Sequence, residues 1–127
     1  MKTKLILSVI AVLFMLTACF GQETFHFEGE SDNWQVEYVT DVKSSKDSEN
    51  GTIKIRYIGE NETPDQIYYS IKSGSTDMSG DASMEEEFLE MAGSNCSGCA
   101  VTKENDEFDV MMEWDGQSEN FTLNNVN

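Results

Sequence analysis

The chain has 127 residues, 39% hydrophobic and 10% aromatic, with 24 acidic against eight basic side chains and a formal net charge of −16. That excess of acid argues against nucleic acid as a partner, because neutralising phosphate takes clusters of Lys and Arg, and against electrostatic adsorption to anionic lipid. The aromatic and β-branched residues are too numerous and too regularly spaced for an acidic disordered tail, and the length suits one domain with one core.

The N-terminus reads as an export signal. Lys2 and Lys4 form a basic n-region, and Leu5 to Leu16 is an apolar run. It falls short of the roughly 20 residues a membrane-spanning helix needs. Leu16-Thr17-Ala18-Cys19 then places small residues before a cysteine. This resembles the lipobox of bacterial lipoprotein signal peptides. The resemblance implies cleavage of residues 1–18 and a diacylglyceryl thioether, with its palmitate-type chains, on a new N-terminal Cys19. Two acyl chains hold stably where one is marginal. The alternative is an ordinary secretory signal with a chance cysteine. Residues 19–23 would be a lipid-anchored tether and 24–127 a single β-rich domain on the extracytoplasmic face of the cell membrane. Loss of Lys2 and Lys4 makes the remainder more acidic still.

Beyond the tether, Phe25 and Phe27 alternate with Thr24, His26 and Glu28, and Gly29 to Asn33 is a turn cluster. Trp34, Val36, Tyr38, Thr40 and Val42 recur every second residue, the pattern of a half-buried strand. Lys43 to Asn50 is polar and aperiodic and reads as a loop punctuated by Gly51. Ile53, Ile55 and Tyr57 alternate again, as do Ile67, Tyr69 and Ile71, with a loop over Glu60 to Pro64 between them. Lys54 and Arg56, on the polar side of their strand, are placed to sit beside Glu37 and Asp41 if the two strands pair. Ser73 to Ser83 reads as an exposed Gly/Ser/Asp segment. Ser83 with Glu86 fits a capping box, Met84, Phe88 and Met91 lie at i, i+4 and i+7, and Gly93 suits a C-cap, so residues 84–92 are expected as a short helix, with an edge strand as the alternative. Phe108, Val110, Met112 and Trp114 alternate, Asp115-Gly116 is a hairpin turn, and Phe121 and Leu123 lie on the return strand. Six or seven short strands with at most one helix predict an all-β antiparallel β-sandwich, with an immunoglobulin-like arrangement as one candidate.

Few residues carry chemistry. Cys96-Ser97-Gly98-Cys99 reads first as a structural disulfide, since close cysteines outside the cytoplasm oxidise. Closing so small a loop contributes about 2 kcal/mol by chain entropy. A redox-active Cys-x-x-Cys and half of a zinc site are the alternatives. A redox pair usually opens a helix in a βαβ setting, which is not indicated here, and one pair supplies two zinc ligands with only His26 besides carboxylates to complete them. His26, the sole histidine, reads as an exposed or edge residue, and no Ser/His/Asp arrangement is readable around it. Glu85 to Glu87 read as a solvated face. Asp77, Asp81 and Glu85, at spacing four, are weak calcium candidates that match no EF-hand loop. The many scattered acids make chance pairs suited to glycoside chemistry inevitable. Three glycosylation sequons, at Asn61, Asn95 and Asn120, read as coincidental in a bacterial lipoprotein.

Phe27-Glu28-Gly29-Glu30-Ser31-Asp32-Asn33-Trp34 resembles the start of the mature domain in a group of small lipoproteins of Bacillus-like Firmicutes. Cys96-Ser97-Gly98-Cys99-Ala100-Val101-Thr102, Glu113-Trp114-Asp115-Gly116 and Phe121-Thr122-Leu123 are similar to the same group. The resemblance implies a host class, a membrane anchor and a β-rich domain, and assigns no catalytic residue. The expectation is therefore a non-enzymatic binding or accessory module at the cell envelope, without a cofactor beyond its covalent lipid, facing a protein or cell-wall partner. An extracytoplasmic thiol-redox protein using Cys96 and Cys99, and a calcium-dependent envelope protein, are the alternatives.

Overall fold

The computed structural model describes residues 22–74 and 76–127; the signal segment and Cys19 lie outside the described residues. Eight strands follow one another: β1 (Gln22–Glu30), β2 (Trp34–Lys43), β3 (Ser48–Tyr57), β4 (Gln66–Ser73), β5 (Thr76–Ser83), β6 (Phe88–Ser97), β7 (Phe108–Trp114) and β8 (Gln117–Asn125). The order across the sheet is β5-β4-β7-β8-β1-β2-β3-β6, with every neighbour antiparallel. The all-β antiparallel expectation holds. The architecture is one nearly closed sheet, not two separate sheets of an immunoglobulin-like sandwich, and it has one strand more than the upper expectation.

Alternation drives the closure. Phe27, Val36, Tyr38, Ile53 and Ile55 point inward from β1–β3, and Ile71, Phe108, Met112 and Leu123 meet them from the other half, all essentially without solvent contact. The ring of Phe108 stands edge-on to both Phe27 (4.9 Å) and Tyr38 (5.1 Å), the geometry that aligns aromatic quadrupoles favourably. Tyr38 needs room for its ring. Gly51 on β3 and Gly93 on β6 provide it, since a Cβ at Gly93 would lie 2.7 Å from the Tyr38 ring and one at Gly51 would also collide with it. Gly51 is thus inside a strand, where the sequence suggested loop punctuation.

Three expectations are corrected. Residues 84–92 form no helix. Residues 84–87 make a tight connection, in which Met84 N–H donates to Asp65 O and Glu87 O accepts from Tyr57 N–H (both 2.8 Å), and Phe88 opens the ten-residue strand β6. β6 pairs with the free side of β3, so Leu89 and Met91 turn toward the core at period two and the helical spacing of Met84, Phe88 and Met91 goes unused. Ser73 to Ser83 is mostly strand β5. It carries little hydrophobic signal because it is an edge, burying chiefly Met78. The polar run Lys43 to Asn50 splits between the end of β2, a short turn and the start of β3.

Candidate functional site

Two places bring ionisable groups together. The first lies on the outer face of β1–β2. Alternation that sends Phe25 and Phe27 inward sends His26 and Glu28 outward, and the β1–β2 register sets Glu28 directly opposite Glu37. His26 Nε2 lies 3.2 Å from a Glu28 oxygen and 3.7 Å from a Glu37 oxygen, with all three side chains about one-third exposed. Neither approach is aligned as a hydrogen bond, and the Nε2 atom is buried without a partner. Donor atoms of the three residues lie within 4.8 Å of one another, making this the one such group among the described residues. Lys54 faces Glu37 from β3, as expected from the alternation, and Arg56 lies over the Phe88 ring at 5.2 Å. Asp41 instead faces Asn50 and accepts from Thr24.

The second is internal. Glu49 on β3 points into the core and is 2% exposed. Its carboxylate accepts from the Thr40 hydroxyl (2.6 Å), from the Thr102 backbone N–H (3.1 Å) and, at the limit of reach, from the Tyr38 hydroxyl (3.5 Å). Burial raises the Tyr38 pKa above its ordinary value, and the neighbouring Glu49 charge adds to the rise. Because Thr102 belongs to the segment after the disulfide, Glu49 ties that segment to the barrel.

Cys96 and Cys99 are bonded to each other, with Cα atoms 6.1 Å apart. Cys96 lies near the end of β6 opposite Glu49, and Cys99 N–H donates to Asp47 O at 2.9 Å. Among the described residues no helix follows the pair, whereas redox pairs usually sit at a helix N-terminus. The calcium candidates are not brought together. Asp77 and Asp81 lie on one strand, where four residues span about 13 Å, and Glu85 is in the turn beyond it. Asp77 instead pairs with Lys72 at 3.9 Å.

Reading the sequence found His26 but not its companions, because the register between β1 and β2 is what sets Glu37 against Glu28. Glu49, Thr40 and Thr102 were missed as a group. Glu49 stands in a polar run that looks like loop, and the one available signal was its even spacing from Gly51 and Ile53.

These features define the class: an acidic, nearly closed antiparallel β-module with a polar, ionisable outer face and a disulfide-bonded end. Comparison with protein-family models, curated proteins and solved structures gives no match.

Proposed function

We propose that the protein is a membrane-anchored extracytoplasmic lipoprotein whose folded domain is a non-enzymatic binding or accessory module at the cell envelope, of the type found in Bacillus-like Firmicutes. The observation that carries this reading is the junction of signal and fold. The ladder of β1 begins at Gln22, three residues after the lipobox cysteine, so the lipid would hold the module against the membrane on almost no tether. Among the described residues no helix is long and apolar enough to cross a membrane. The non-enzymatic part rests on the sequence, which offers one histidine and no readable nucleophile arrangement around it.

The test is labelling of growing cells with an alkynyl palmitate analogue, followed by membrane fractionation. The wild-type chain is expected to take up label and sediment with membranes, and Cys19→Ser to be unlabelled. Equal labelling of the two, or an unlabelled soluble wild type, overturns the anchor.

A further inference from the structure

We propose that His26, Glu28 and Glu37 bind a divalent transition-metal ion, best matched by zinc. The proposal stands independently of the lipid anchor.

Distances come first. Zinc holds imidazole nitrogen and carboxylate oxygen at roughly 2.0–2.2 Å, so neighbouring ligands of a tetrahedral ion lie about 3.3 Å apart. Nε2 stands 3.2 Å and 3.7 Å from the two carboxylate oxygens, and all three donor atoms fall within 4.8 Å of each other. Small side-chain adjustments turn this triangle into three corners of a coordination tetrahedron. An imidazolium clamping the same two acids would point an N–H along one of these approaches. Here Nε2 is buried and makes no hydrogen bond, so this nitrogen has no partner among the described residues.

Electrostatics come second. Glu28 and Glu37 are directly opposed across an antiparallel pair, a placement in which like charges destabilise the sheet. Lys54 faces Glu37 from the far side but forms no ion pair with it among the described residues. A dication between the two carboxylates removes the repulsion that the register imposes.

Rigidity comes third. The ligands project from two adjacent strands in the middle of the sheet order, paired along the whole of β1, so little ordering remains to be done on binding. The donor set also selects. Calcium takes six to eight oxygens and magnesium a near-ideal octahedron of them, whereas an imidazole suits zinc and its neighbours. Three protein ligands leave a fourth position, on an exposed face, for water or for a donor from a partner.

The experiment uses the full chain in detergent with the Cys96–Cys99 bond intact, titrated calorimetrically with zinc chloride in excess magnesium. One saturable site per chain is expected, together with a rise in Tm. His26→Gln should weaken binding by about tenfold or more, since it removes the one nitrogen ligand. Glu37→Gln should raise the Tm without zinc, by relieving the repulsion, and abolish the further rise that zinc gives. Cobalt(II) added to the wild type should give the visible absorption of a four-coordinate site, a readout that depends on no variant. Zinc binding unchanged in His26→Gln, or no saturable site together with an octahedral cobalt spectrum, overturns the proposal.

Discussion

The two ends of the barrel are built by opposite means. At the Trp34 end the plug is aromatic. Trp34, which is without solvent contact, stands edge-on to Tyr57 at 5.0 Å and to Trp114 at 5.4 Å. The β1–β2 turn is drawn over this end from outside. Glu119 on β8 accepts from the Ser31 hydroxyl (2.6 Å), the Asn33 backbone N–H (3.0 Å) and the Asn33 side-chain amide (2.5 Å). At the Gln22 end the closure is polar and buried. Glu49 holds Thr40 and Thr102, the disulfide pins the exit of β6, and a cleft of about 740 Å3 opens beside them, lined by Phe25, Val42, Val101 and the lysines Lys43, Lys46 and Lys103. The contrast shows one carboxylate serving as an internal anchor and another as an external clasp. Apolar area dominates one end, and hydrogen-bond satisfaction the other.

Truncation separates the two ends most sharply. Trp34→Ala should cost about 3–5 kcal/mol, the range for removing a large core aromatic, read from chemical denaturation. A loss under 1 kcal/mol would show that the plug does not carry its end. Its indole N–H is buried with no partner among the described residues, so packing alone offsets that unpaired donor.

Glu49→Ala comes next. It strands the Thr102 N–H and leaves the Thr40 hydroxyl only the longer contact to Asn50 O at 3.4 Å, and should destabilise by about 1–3 kcal/mol. Glu49→Gln keeps an acceptor and should cost less. The loss should appear as faster amide exchange at Thr102 while the Trp34 end stays protected. Uniform loss of protection at both ends would deny that Glu49 acts locally.

The smallest effect belongs to Glu119. Burial works against its ionised form, yet the hydrogen bonds from Ser31 and Asn33 outweigh it and hold its pKa below the ordinary 4.5. A carboxyl depressed on folding contributes stability that is fully present above its unfolded pKa and is lost as pH falls through its lower folded value. In Glu119→Gln the fall in Tm below about pH 4.5 should be shallower than in the wild type. Identical acid profiles would show that the clasp adds nothing to folding.

How much of this was legible follows from what each signal depends on. Period-two alternation is local, so β2, β7 and the inward sets of β1 and β3 were readable residue by residue. Edge strands are where that signal weakens. β5 presents Met78, Gly80 and Ala82 inward, too small a set to announce a strand, and β6 offers a spacing that serves a helix as well as a sheet. The helix lost because β3 had an unpaired side and β6 satisfied it with a ladder interrupted only between Asn50 and Thr52.

Sequence by itself determined the acidic charge, the lipobox-like start, the antiparallel all-β class and the close cysteine pair, because each is a matter of composition or near-neighbour order. Tertiary structure alone decided the closing of one sheet, the burial of Glu49 from within a polar run, the scattering of Asp77, Asp81 and Glu85, and the convergence of His26 with Glu28 and Glu37. Those depend on strand register: a slip of β1 by one residue against β2 would turn His26 and Glu28 to the other face and leave Glu37 without them.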